Sequence, residues 1–146
     1  MPETIQAKDP GLQEFLASLP PQDALRIRTL AHAWEGGGGR LFVGRFAIRL
    51  LAADGAGRGF TAGNLHRAHG DPPRPTLELG RILLQLHGVS PSAWTEWCDE
   101  RPDLPAAGFD PQAKFPVVRL DGITDATLAR LAVGLRDLAR LVAPQK

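Results

Sequence analysis

The run Gly36-Gly37-Gly38-Gly39-Arg40-Leu41-Phe42-Val43-Gly44-Arg45-Phe46-Ala47-Ile48-Arg49-Leu50-Leu51 decides the fold class of this chain. Four consecutive glycines end any regular period that precedes them and read as a flexible connection. From Leu41 onward the residues alternate with a period of two, which predicts a strand over 41–51. That alternation places Phe42, Phe46, Ile48 and Leu50 on a core face and Val43, Arg45, Ala47, Arg49 and Leu51 on the opposite one. Asp54-Gly55-Ala56-Gly57-Arg58-Gly59 is a glycine-rich turn, read as a mobile loop, and Phe60 to Leu65 follows as a second, weaker strand, so the pair reads as an antiparallel hairpin.

Helical patterns flank the hairpin. Leu12, Phe15, Leu16 and Leu19 share one helical face before Pro20-Pro21, and Pro21 opens a second helix whose apolar stripe (Leu25, Ile27, Leu30, Ala31, Trp34) runs to the glycines. After the break Gly70-Asp71-Pro72-Pro73-Arg74-Pro75, Thr76 reads as the cap of a third helix, with Glu78 in its first turn, Leu79, Ile82, Leu83 and Leu86 on one face, and Gly88 as its stop. Ser90-Pro91 starts a fourth, with Trp94, Trp97 and Cys98 turned inward. Residues 102–114 read as irregular. Phe115 to Leu120 is a third strand candidate, assigned to an edge because Pro116 lacks a ladder donor. Thr124 caps a final helix, in which Leu128, Leu131, Leu135, Leu138 and Val142 form a narrow seam. The expectation is therefore an α+β fold: a small antiparallel sheet, made of a central hairpin and a third edge strand, packed with about five helices.

With 146 residues, 43% of them hydrophobic and 23% charged, the chain reads as a single globular domain over 1–146, residues 1–9 forming a disordered tail. Its one cysteine excludes an internal disulfide framework, and no apolar stretch is long enough to span a membrane. A start lacking the apolar segment of a secretory signal makes a cytoplasmic location the default expectation.

Motifs for catalysis are sparse. The glycine tracts precede strands or sit in a hairpin turn, where a phosphate-binding loop must lead into a helix whose free N–H groups meet the anion. No Gly-x-Ser-x-Gly elbow is present. Cys98 is flanked by Glu96, Asp99 and Glu100, which disfavour a thiolate, and reads as a small buried hydrophobe. The segment His66-Arg67-Ala68-His69-Gly70-Asp71 offers two imidazoles and a carboxylate, a donor set that suits zinc or iron, so His66, His69 and Asp71 are candidate metal ligands and the centre of an alternative reading as a small metal-binding protein or enzyme. No cofactor is called for otherwise.

Charge is more informative than motif. The formal net charge of +1 is a cancellation. Between residues 40 and 81 arginines stand at 40, 45, 49, 58, 67, 74 and 81 against Asp54, Asp71 and Glu78, an excess of four positive charges. Glu96, Asp99, Glu100 and Asp103 then surround a single Arg101. Arg45, Arg49, Arg58 and Arg67 are the candidate anion- and partner-binding residues, because guanidinium groups make planar, bidentate contacts to phosphate and carboxylate. The sequence thus points to an interaction domain that sets an Arg-rich hairpin against an acidic protein surface or nucleic acid, or alternatively pairs those arginines with its own acidic helix. The leucine seam 128/131/135/138 is read first as packing within the chain, onto the sheet, and second as a homodimer contact.

Overall fold

The computed structural model describes residues 10–70 and 73–142, and it has the expected α+β class. Five antiparallel strands, β1 (Arg40–Val43), β2 (Ala47–Ala53), β3 (Gly59–His69), β4 (Arg74–Leu79) and β5 (Val117–Arg119), form one sheet in the order β1-β2-β3-β4-β5. Five helices accompany it: α1 (Pro10–Ala17), α2 (Pro21–Gly36), α3 (Arg81–Leu86), α4 (Pro91–Asp99) and α5 (Asp125–Val142), with a short 3₁₀ turn at Leu104–Ala107. Among the described residues no helix is long and apolar enough to cross a membrane.

The sheet holds more strands than the alternation alone predicts, for two local reasons. The run 41–51 is a tight hairpin of its own: the amide of Gly44 donates to the carbonyl of Ala47 at 2.9 Å, and β1 folds back on β2 with Leu41 opposite Leu50 and Val43 opposite Ile48. Reversal at Gly44 inverts the faces of β1, while Ile48 and Leu50 of β2 lie in the core as expected. Leu41, Ile48 and Leu50 are fully buried, whereas Phe46, expected in the core, is 67% exposed, and Phe42 lies opposite Arg49 on the other face. The second correction is at Thr76. Thr76 caps no helix; it lies in β4, where Leu77 and Leu79 point into the core and Thr76 and Glu78 to the opposite face, a period of two hidden beneath the helical spacing of the leucines. Helix α3 then starts only at Arg81.

The core lies between one sheet face and the helices. Leu50, Leu65, Leu77 and Val118 from four strands meet Ile27, Leu30 and Trp34 of α2, and Leu131, Leu135 and Leu138 of α5. Leu128, Leu131, Leu135 and Leu138 are all buried within the chain, and α5 packs along α2. The seam proposed as a homodimer contact is therefore part of the chain's own core, because burying those leucines internally already removes them from water. Thr124 caps α5 as expected, its hydroxyl accepting from the amide of Thr127 at 3.1 Å. Strand β5 lies at the sheet edge, directly after Pro116.

The four-glycine tract serves close packing. A Cβ on Gly37 would stand 2.3 Å from the carbonyl oxygen of Arg136, and one on Gly39 would stand 2.1 Å from the indole nitrogen of Trp34. That indole is fully buried and donates to the carbonyl of Leu51 at 2.9 Å, so it has no room to retreat. Gly39→Ala should consequently lower stability by about 2 kcal/mol. Gly55→Ala, in a turn with open space around its Cα, should change it by less than about 0.5 kcal/mol. Urea unfolding of the two variants checks this; equal effects would show that the tract is a flexible connection after all.

Candidate functional site

Register across the sheet assembles a polar row on the face turned away from the apolar core. Phe42 lies opposite Arg49, Arg49 opposite Asn64, and Asn64 opposite Glu78. A neighbouring row runs from Ala47 through His66 and Thr76 to Arg119. The guanidinium of Arg49 sits 5.3 Å over the Phe42 ring, and that of Arg45, in the β1–β2 turn, sits 5.3 Å over the exposed Phe46 ring. Such stacking holds a guanidinium flat while leaving its edge N–H groups free to bond.

The four candidate arginines do not gather into one patch. Arg45 and Arg58 occupy the turns at opposite ends of β2, roughly 20 Å apart at about 3.3 Å per residue. Arg67 is consumed internally: it donates to the Ser18 hydroxyl at 2.8 Å and to the Arg45 carbonyl at 2.6 Å, and lies 5.4 Å over Phe15. It fixes α1 and the β1–β2 turn to the sheet. Arg45, Arg49 and Arg58 are exposed, and no ion pair between described residues involves them.

Three residues apart on a regular strand, His66 and His69 would face opposite sides. A bulge brings them together. Arg67 and Ala68 of β3 fall within the register shift opposite Pro75 of β4, which has no N–H to give the ladder, and the extra residue turns His69 to the face of His66. Their rings stack with centroids 4.5 Å apart. His66 Nε2 lies 3.2 Å from Glu78 Oε1, which also accepts from the Asn64 amide at 3.2 Å. Asp71, the third proposed metal ligand, lies outside the described residues. Among the described residues no three His, Cys, Asp or Glu side chains converge to hold a metal ion.

Of the acidic cluster, Glu100 and Asp103 take nearby cations. Arg101 lies near Glu100 and Asp137, both at 3.8 Å, and Asp103 pairs with Arg130. No ion pair between described residues joins Glu96, Asp99 or Glu100 to Arg45 or Arg49. Cys98 is half-buried, and burial, followed by the charge of Asp99, pushes its thiol up to about 11, which leaves it protonated and unreactive at neutral pH.

At the far end of the sheet Asp54 organises the β2–β3 turn. Its Oδ1 accepts from the amides of Ala56 and Arg58, both at 2.9 Å, and its Oδ2 lies 2.7 Å from Nδ1 of His87, whose ring stacks on Phe60 at 4.1 Å. The expected mobile loop is thus pinned. The hydrogen bond with His87, then those from the Arg58 and Ala56 amides, hold the Asp54 carboxyl below its ordinary value. A lowered folded-state pKa favours the ionised form on folding, so its contribution is complete above the unfolded value of about 3.9 and is lost as pH falls through the folded one. Asp103, held down by Arg130 and Thr127, acts in the same window. The urea midpoint should fall as pH drops below about 4, and go on falling as it passes through the lowered folded values. It should fall less in Asp54→Asn, which starts from a lower midpoint; an undiminished acid loss in that variant would show that the turn carboxylate is not a source.

Surface aromatics are what the alternation missed. Their signal was Gly44, a glycine inside a strand pattern, which marks a turn or bulge and resets which side chains face the core. No family model, no curated protein and no solved structure matches this chain.

Proposed function

We propose that this chain is a binding domain and that it uses the β1–β2–β3 part of its polar sheet face to hold single-stranded nucleic acid. One observation carries the reading: Arg45 and Arg49 each stack on a phenylalanine at 5.3 Å, and no ion pair with a described carboxylate engages them. Unpaired bases are held by stacking on aromatic rings and guanidinium planes, while arginine N–H groups take the phosphates. An acidic protein surface would use the same charges of Arg45, Arg49 and Arg58 and would bury Phe46 as well, so competition between the two ligand classes separates the readings. The stacked imidazoles of His66 and His69 and the amide of Asn64 add flat and hydrogen-bonding groups on the same face.

Fluorescence anisotropy with a labelled twelve-nucleotide single strand tests this. Saturable binding at low salt is expected, with duplex of the same length and poly-glutamate competing weakly. Poly-glutamate competing as well as unlabelled single strand would replace the reading with an acidic-protein partner.

A further inference from the structure

We infer that the cleft between β2, β3 and the C-terminal turn of α5 is a second binding site, shaped for a small amphipathic anion: a carboxylate on an apolar body. The cleft measures about 740 Å³, within the roughly 300–1,000 Å³ of small-molecule sites. Its walls are Leu51, Ala52, Phe60, Ala139 and Val142, and Gly38, Gly57 and Gly59 line it without side chains to fill it. Among the described residues the lining holds one charged group, Arg40, and no carboxylate. Arg40 is exposed and takes part in no ion pair between described residues. A cleft with a mostly apolar lining and a single exposed guanidinium that pairs with no described carboxylate favours a ligand with the reciprocal distribution, an apolar body ending in an anion, because a carboxylate gains a charge-assisted hydrogen bond that a neutral ligand cannot make and a polyanion leaves the walls uncovered.

The walls are also pre-formed, which lowers the ordering cost of binding. The Trp34 indole fixes the carbonyl of Leu51 at 2.9 Å, His87 stacks on the Phe60 ring at 4.1 Å, and Asp54 binds the amides of Ala56 and Arg58, holding the turn that contains Gly57. None of its lining residues belongs to the row of Phe42, Arg49 and Asn64, although Arg58 stands between the lining residues Gly57 and Gly59.

The test titrates the ¹⁵N-labelled protein with decanoate and, separately, with decanol, following amide shifts. Decanoate should bind saturably with shifts centred on Gly38, Leu51, Phe60 and Val142, and about ten-fold more tightly than decanol. Arg40→Gln should remove that preference by weakening decanoate alone. Ala53→Trp, at an exposed lining position, should block both ligands while leaving the remaining spectrum folded. Absence of saturable binding, shifts centred on Phe42 and Arg49, or equal affinities for decanoate and decanol would each overturn the inference. Tighter binding of an apolar peptide through its C-terminal carboxylate would overturn the assignment to a small molecule.

Discussion

Gly134→Ala is expected to lower the unfolding free energy by about 3 kcal/mol, although alanine is the better helix former by about 1 kcal/mol. A Cβ at Gly134, buried within α5, would stand 2.1 Å from Nε and 2.7 Å from Cζ of Arg101. That guanidinium cannot swing away. It is 5% exposed, lies 4.5 Å over the Trp97 ring, and donates to the carbonyls of Trp97 at 2.7 Å and Arg130 at 3.3 Å. Trp97 in turn donates from its indole to the carbonyl of Gly134 at 2.8 Å, so the helix and the α4 side chains lock each other. Displacing the arginine would leave a buried charge short of partners, among the costliest single defects a core can carry. For a chain of this size the loss corresponds to a melting temperature about 10 °C lower. Arg101→Ala, which removes the obstructing group, should be destabilising alone, but Gly134→Ala/Arg101→Ala should be more stable than the sum of the single effects by at least about 1 kcal/mol. Strict additivity would mean that Arg101 relaxes freely and that the knot between α4 and α5 is not what glycine serves here.

The second large effect concerns binding. Phe42→Ala/Phe46→Ala should weaken single-strand affinity by about 100-fold or more, since stacking on one aromatic ring is worth about 1–3 kcal/mol per base. Phe46→Ala alone should account for about ten-fold of this and change stability by less than about 0.5 kcal/mol, because a ring 67% exposed contributes little to the core. Losing Phe42 and Phe46 also removes the surfaces on which Arg49 and Arg45 lie, so a fraction of the loss arises from arginines that are no longer held flat. Anisotropy with the same labelled strand measures both contributions. Full affinity in the double variant would move the binding surface elsewhere on the molecule.

Legibility in the sequence followed the strength of each local signal. Helix α5 was readable because Thr124 caps it and its leucines recur without interruption, and α4 because Ser90-Pro91 is a cap followed by a first-turn proline. The edge position of β5 followed from Pro116 alone. The strand-to-helix boundary at Gly80 was not readable, because Leu77 and Leu79 satisfy a two-residue period while Leu79, Ile82, Leu83 and Leu86 satisfy a helical one, and packing between β3 and β5 decides for the strand. The β1–β2 turn was lost for a related reason: Gly44 interrupts an alternation that otherwise continues, and a one-residue shift of register exchanges the two faces. The site inherited that error, so arginines were visible in the sequence while the phenylalanines that position them were assigned to the core. His66 and His69 were visible as neighbours in sequence, but what sets them side by side is a bulge opposite Pro75, a tertiary feature of two strands.

The salt dependence of single-strand binding tests the central claim most directly. If Arg45, Arg49 and Arg58 each take a phosphate, log K should fall against log salt with a slope of about −2, from about −0.7 per phosphate contact on a single strand. Arg45→Ala/Arg49→Ala should reduce that slope to about −0.7. A slope that the double substitution leaves unchanged, or single-strand binding that is indifferent to salt, would contradict the account.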